Sequence, residues 1–417
     1  MASGFILANQ RGIAVSMDTM EASSQGEEYR GVNRIFPLGG QHKIVAISRG
    51  FDKFMNIPVE ILIQRFAHQL DDQPLDKLTD YPVAFADFLN DQQSGLTDEW
   101  YLRDNVRFVL NDLYNFYQQN LQNHGQQYPF EKLFNQAVAQ LVQRWQPQKS
   151  DPTICEISKA DFIEQYGSQV GQVASEWLKE LLSYGPQTNG GSFATQLQQP
   201  SQLDQQRSIF SNEYPQIFDA IYHIMTVGMR GNQASIVFAG MGNKECFGSL
   251  QLLNIYGYLQ GILTTTDEVE TINQNNAQLI SPVSTYTQQS IGAQLLQSGM
   301  ADTSFNRIKQ ILEENGMQEN DEQRVLGAVR RSMLVHNQGI QQTIVNLSPS
   351  ELARMSRTMV EVNSFVSRFM IRNAGVGGDI ETVIITYQDG VVWLHRQQNI
   401  DYQLNPALLT RHGNAEN

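Results

Sequence analysis

The glycine-rich stretch Gly240-Met241-Gly242 follows the apolar run 234–239, as a phosphate-binding loop follows its strand. Such a loop presents the phosphate to the N-terminus of a helix, but here a second apolar, strand-like run comes next. The pattern therefore disfavours a dinucleotide site. The seven histidines show no HExxH or paired spacing, and neither Cys155 nor Cys246 belongs to a CxxC pair. We expect no metal site and no cofactor.

Ser3 and Asp18 flank the first pair of apolar runs in the chain. Phe5–Ala8 and Ile13–Met17 are separated by the turn residues Asn9–Gly12, which predicts a tight hairpin that Asp18 closes. On the residues alone, Asp18 is a turn residue at the end of a strand and Ser3 is an ordinary terminal residue.

The elements that position these residues follow from the hydrophobic pattern. Further strand pairs are predicted at 34–38 with 43–47 and at 381–387 with 391–395, and apolar runs at 234–239 and 247–262 indicate more strands. Helical spacing recurs over 54–70 and 288–372, with a capping box at Ser348 and Glu351. This order predicts an α+β sandwich of sheets covered by helices rather than alternating βαβ units.

In residues 72–205 the hydrophobic pattern changes to helical spacing, which predicts a helical insertion. Three amphipathic, glutamine-rich stretches lie between proline and glycine breaks. We expect them to form a small core of their own around Leu110, Leu133, Trp145 and Trp177.

Composition excludes several classes of function. Charged residues make up only 17% of the chain, and the net charge of −14 opposes binding to nucleic acid. No window reaches the roughly 18 apolar residues that span a bilayer, so no membrane partner is expected. The first nine residues lack signal-peptide features, and two cysteines are too few for a disulfide framework. These features predict a cytoplasmic protein.

Three stretches of the chain, in this order and spacing, resemble the proteasome β-subunit family, including its bacterial relative that works beside an ATP-driven unfoldase. They are residues 4–70, 236–250 and 376–393. The resemblance implies the four-layer αββα sandwich of the N-terminal-nucleophile (Ntn) hydrolases, here with a large helical insertion. It divides the chain into a first half of the sandwich, the insertion, a second half and a flexible tail, at 1–71, 72–205, 206–405 and 406–417.

The resemblance also implies a chemistry. In that family the first residue of the mature chain is Thr, Ser or Cys; its side chain attacks an amide carbonyl, its free α-amine is the base, and an aspartate holds a nearby lysine. Asp18 matches the aspartate. The lysine position holds Gly31 with Arg30 beside it, and arginine cannot exchange a proton as lysine does. The nucleophile position falls on Ser3 or Ala2. By this resemblance the candidate catalytic residues are Ser3, Asp18 and Arg30, as vestiges of the family's centre.

Three functional hypotheses follow. The first is a proteasome-like protein with a degenerate catalytic centre, acting as an assembly or protein-binding module. The second is an active Ntn-type amide hydrolase or peptidase with a processed N-terminal Ser3. The third is a non-proteolytic sensor or adaptor that uses the helical insertion as its recognition surface. We expect a homo-oligomer, with the insertion available to a protein partner.

Overall fold

The computed structural model describes most of the chain and leaves out its two ends and several internal segments. The described residues are 3–22, 28–50, 53–55, 57–70, 72–91, 96–124, 128–146, 153–184, 189–197, 215–227, 234–260, 262–271, 278–280, 294, 298–370 and 377–396. Ala2 and the predicted tail at 406–417 therefore lie outside the described residues.

Two five-stranded sheets, antiparallel throughout, form the centre of the protein. The strands are β1 Gly4–Asn9, β2 Gly12–Asp18, β3 Met20–Ala22, β4 Glu28–Arg30, β5 Ile35–Pro37, β6 Lys43–Gly50, β7 Lys53–Phe54, β8 Ile57–Pro58, β9 Ala234–Met241, β10 Ser249–Leu259, β11 Ile262–Thr271, β12 Gln278–Ile280, β13 Ile380–Thr386 and β14 Gly390–His395. The first sheet has the order β12-β1-β2-β13-β14 and the second β11-β10-β9-β6-β5. The predicted hairpins β1–β2, β5–β6 and β13–β14 are confirmed.

The two sheets share a core because alternate residues of their strands point toward each other. Ile6 and Val15 from the first sheet lie in one cluster with Val45 and Val237 from the second, and all four are buried. The opposite faces of the strands carry Phe5 and Leu7 in the first sheet and Ile44 in the second, which pack against helices. The protein thus combines antiparallel sheets with helices, which is compatible with the α+β class that the order of elements predicts.

The helices fall into two groups along the chain. They are α1 Val59–Gln69, α2 Asp80–Asn90, α3 Asp98–His124, α4 Phe130–Arg144, α5 Lys159–Ser183, α6 Asn189–Leu197, α7 Pro215–Thr226, α8 Asp302–Glu314, α9 Glu319–Asn346 and α10 Pro349–Phe365, which continues into a π-helical turn at Val366–Met370. Helix α10 begins with the predicted capping box, in which Ser348 and Glu351 satisfy each other's backbone N–H groups. It packs with the end of α9 on the outer face of β1 and β2.

The helices of the insertion do not form a core of their own, and that expectation is wrong. Leu110, Leu133, Trp145 and Trp177 are all buried, but they belong to one continuous cluster with α1 and the outer face of the second sheet. The contact is close: a Cβ on Gly257 of β10 would lie 2.4 Å from the hydroxyl oxygen of Tyr101 in α3. The apolar stripes were correctly recognised, but periodicity does not say which surface a stripe covers.

Candidate functional site

The hairpin register places Ser3 and Asp18 side by side. Gly4 pairs with Met17 and Asn9 with Gly12, so Gln10 and Arg11 form a two-residue turn. One step beyond the ladder, the Asp18 N–H donates to the carbonyl oxygen of Ser3 at 2.8 Å. The two predicted catalytic residues are therefore brought together at the open end of the β1–β2 hairpin.

Two main-chain amides hold the Asp18 carboxylate. The Ser3 N–H donates to Oδ1 at 2.8 Å, and the Gly377 N–H donates to Oδ2 at 2.9 Å. Gly377 precedes β13, whose Ile380 pairs with Asp18 in the sheet, so the register of that strand brings the second amide into place. Asp18 itself is fully buried. A carboxylate in this environment is a cross-link between β2, the start of β1 and the turn before β13.

Burial controls the protonation of Asp18. Loss of hydration raises the pKa of its carboxyl from 3.8 to about 7, against the opposing effects of the Ser3 and Gly377 amides and of the positive charge of Arg34. Near neutral pH the group therefore exchanges between a charged and a neutral form. The same amides can donate to either form, because a protonated carboxyl keeps acceptor capacity.

The Ser3 hydroxyl is held from the helical side of the first sheet. Asn363 of α10 donates its Nδ2–H to Ser3 Oγ at 2.6 Å, and both residues are buried. In the described part of the chain, Asn363 is the hydrogen-bond partner of this hydroxyl, and the Asp18 carboxylate is not. We name these four residues, Ser3, Asp18, Asn363 and Gly377, the Ser3–Asp18 corner.

The position that holds the lysine in the resembled family is open in this protein. Gly31 has φ of +84°, and a Cβ built there would meet no described atom within 4 Å. The backbone of Arg30 pairs with Met20 in the β3–β4 ribbon, and its side chain lies outside the described residues. Among the described side chains, the Arg34 guanidinium lowers the pKa of Asp18, and its Nη2 donates to the Met20 carbonyl oxygen at 3.1 Å.

Three members of this environment carry no sequence signal that marks them as site residues. Gly377 lies in the third stretch of the resemblance, 376–393, and Arg34 lies in a predicted strand. Asn363 lies 360 residues from Ser3 and gave no signal beyond its place on a helix. A contact of that kind is fixed by the packing of α10 on the first sheet, which the local pattern does not encode.

Other kinds of site find no support among the residues that the structure describes. No group of three or more histidine, cysteine, aspartate or glutamate side chains is arranged to hold a metal ion. Within the same residues, none of the helices has the length and apolar character that crossing a bilayer requires.

Comparison with known proteins adds no assignment. No protein-family model matches the chain, and none of the curated proteins matches it. The geometry of the Ser3–Asp18 corner is therefore the main evidence about function.

Proposed function

We propose that this chain is a divergent, proteasome-like protein with the αββα fold of the Ntn hydrolases, whose catalytic centre has become structural. It acts in the cytoplasm as an assembly or protein-binding module rather than as a peptidase. The observation that carries the proposal is the Asp18 carboxylate, which is buried and occupied on both oxygens by main-chain amides.

The arrangement of the cores supports the fold assignment. One cluster lies between the two sheets, a second joins the first sheet to α9 and α10, and a third joins the second sheet to α1 and the insertion. Helices on both outer faces of two packed sheets are what an αββα sandwich requires. Asp18 also ends the second strand, as the family's aspartate does.

The chemistry of the corner supports loss of activity. The Ser3 nitrogen is a peptide N–H that donates to Asp18, and an amide nitrogen of this kind cannot act as a base. The Ser3 hydroxyl oxygen accepts a hydrogen bond from the side-chain N–H of Asn363, and an N–H group cannot accept the hydroxyl proton. Gly31 supplies no ammonium group to lower the pKa of the hydroxyl.

An active amide hydrolase is the second candidate, and one observation favours it. If processing made Ser3 the first residue, its α-amine would stand where the peptide nitrogen now lies 2.8 Å from Asp18. That amine would have a carboxylate partner already in place. The missing lysine still argues against activity.

Intact-mass measurement with a Ser- and Thr-directed covalent inhibitor tests the proposal. We expect a chain that begins at Met1 or Ala2, no mass increase on incubation, and no hydrolysis of generic peptide or amide substrates above buffer. The matched control is Ser3→Ala, which should behave identically in all three measurements. A wild-type chain that begins at Ser3 and gains one inhibitor mass, with Ser3→Ala unlabelled, would establish the hydrolase instead.

A further inference from the structure

A cleft of about 470 Å³ opens between the ends of the two sheets, remote from the Ser3–Asp18 corner. Its walls come from both sheets, with residues in the ranges 39–43, 241–243 and 388–391 together with Pro37 and Pro74. Strand β13 connects the two places, because Ile380 pairs with Asp18 and Thr386 lies beside the β13–β14 turn. At about 3.3 Å per residue the cleft lies about 20 Å from Asp18, so it is a separate site.

The wall formed at the end of β9 is fixed by hydrogen bonds. The Glu245 carboxylate accepts from the backbone N–H groups of Gly242 and Leu78, both at 2.8 Å. The Asn243 N–H donates to the Leu75 carbonyl oxygen at 2.9 Å. A ligand therefore does not have to order this wall when it binds, which lowers the entropic cost of binding.

His42 lines the cleft without adding charge to it. Its Nδ1 lies 2.8 Å from the hydroxyl oxygen of Tyr81, which is fully buried and accepts the Leu75 N–H at 3.1 Å. Burial raises the pKa of Tyr81 to about 12, so the hydroxyl keeps its proton. Among the described residues, His42 Nδ1 is the acceptor for that proton. The imidazole is therefore neutral and carries its own proton on Nε2.

Two side chains of opposite charge remain on the walls, Lys43 and Asp389. The Lys43 ammonium donates to the Tyr387 carbonyl oxygen at 2.7 Å and lies 4.0 Å from the centre of the Tyr387 ring. These contacts hold the ammonium in place and leave two of its three N–H groups for a ligand. The Asp389 Oδ2 accepts from the Thr386 hydroxyl at 3.0 Å, and in the described part of the chain nothing donates to Oδ1.

The two charges restrict the class of ligand. An anion such as phosphate would pair with Lys43 but would be repelled by the Asp389 carboxylate, and a metal cation would meet the reverse conflict. A ligand with one positive and one negative group can pair with both residues through charge-assisted hydrogen bonds. The cleft therefore favours a zwitterion.

Size restricts the class further. At about 30 Å³ per water molecule, the cleft holds about 15 water-sized groups, which matches the non-hydrogen atoms of a dipeptide better than those of a single amino acid. Gln41, Asn243 and Gln388 add side-chain amides to the lining. Each amide offers both donors and acceptors, as the peptide group of such a ligand requires.

We propose that this cleft binds a small zwitterion of dipeptide size, with the ligand's carboxylate on Lys43 and its ammonium on Asp389. The proposal goes beyond the assembly role proposed above and is independent of it. It uses none of the residues of the Ser3–Asp18 corner, so either proposal can fail while the other stands.

Ligand-observed NMR titration of the full chain with the dipeptide Ala-Leu tests the site. We expect saturable binding of one peptide per chain. Ala-Leu amide lacks the carboxylate and N-acetyl-Ala-Leu lacks the ammonium, so each should bind at least ~10-fold more weakly through loss of one charge-assisted hydrogen bond. Absence of saturable Ala-Leu binding up to about 10 mM would overturn the proposal. An N-acetylated peptide that binds as tightly as the free one would also overturn it, because the cleft would then accept the C-terminal end of a longer chain.

Two substitutions assign the ends of the ligand. Lys43→Met keeps the length of the side chain and should weaken Ala-Leu binding by at least ~10-fold, but it should leave the affinity for Ala-Leu amide unchanged. Asp389→Asn keeps an acceptor for the Thr386 hydroxyl and should weaken Ala-Leu binding to a similar extent, but it should leave the affinity for N-acetyl-Ala-Leu unchanged.

The matched controls are Lys53→Met and Asp379→Asn, which remove exposed charges outside the cleft and should leave all three affinities unchanged. Circular dichroism of each variant checks that the fold is retained. Variants at Lys43 and Asp389 that bind Ala-Leu as wild type does, or that weaken all three peptides equally, would overturn the assigned pairing. If a variant fails to fold, the comparison of the three peptides on wild-type protein still decides.

Discussion

Replacement of Asp18 by asparagine should flatten the pH dependence of stability. The folded protein holds the Asp18 proton with a pKa of about 7, whereas the unfolded chain releases it near 3.8. Between these values the folded state binds more protons than the unfolded state, so this group makes the protein less stable as the pH rises. Its contribution is complete below pH 3.8 and is lost as the pH rises through 7.

The size of the effect follows from the difference between the two pKa values. Three pKa units correspond to about 4 kcal/mol, of which about 3 kcal/mol is lost between pH 5 and pH 8. Other carboxyl groups also contribute to the pH profile, so the useful quantity is the difference between the wild-type and Asp18→Asn profiles. Asparagine is close in shape to aspartate but does not titrate in this pH range. The absolute stability of the Asp18→Asn variant does not enter the comparison, because only the slopes of the two profiles are compared.

Urea unfolding followed by tryptophan fluorescence at pH 5, 6, 7 and 8 provides the measurement. The free energy of unfolding should fall by about 3 kcal/mol more in wild type than in Asp18→Asn across this range. Asp379→Asn is the matched control, because Asp379 is an exposed carboxylate beside the same turn and should leave the wild-type slope unchanged. Parallel profiles for wild type and Asp18→Asn would show that Asp18 stays ionised in the folded protein and would refute the reasoning.

Three further substitutions test the packing around the site. Trp177→Ala should cost about 3–5 kcal/mol of unfolding free energy, because the ring is 3% exposed and its Nε1–H donates to Asn111. The control Trp100→Ala, at a position that is 46% exposed, should cost much less. Equal losses for the two variants would contradict the assignment of the buried face. Ser348→Ala should remove about 1 kcal/mol by breaking the capping box of α10, measured by urea unfolding, and no change would show that the box is not formed in solution. Asn363→Ala should cost about 1–3 kcal/mol, since it leaves the buried Ser3 hydroxyl without its donor, and combined with Ser3→Ala it should cost less than the two separate losses added together.

Much of the secondary structure was predictable because its signals are local. The β1–β2 hairpin followed from two short apolar runs around turn residues, and α10 followed from its capping box and apolar spacing. Three helices of the insertion, α3, α4 and α5, followed from period alone, whereas α2 and α6 were not predicted. In each case the residues that specify the strand or helix lie within a few positions of one another, so the element can be predicted from the local sequence.

Two of the four residues of the Ser3–Asp18 corner could also be predicted from the local sequence. Asp18 was recognised from its place at the end of a strand, and Ser3 from its place before the hairpin. The sequence left open which of Ala2 and Ser3 takes the nucleophile position, and the structure describes Ser3 alone. What the hairpin register adds is the adjacency of the Ser3 amide to Asp18, within 2.8 Å.

The sequence by itself determined many of the strands and helices, which of their faces are apolar, and that Gly31 holds the position of the lysine in the resembled family. Only the tertiary structure decided that Asn363 contacts Ser3 and that Gly377 contacts Asp18, because each pair is joined across about 360 residues by the packing of distant elements. It also decided that the insertion shares a core with the second sheet. Hydrophobic periodicity shows that one face of a helix or strand is apolar and will be buried. Which surface buries that face depends on shape and packing over the whole chain.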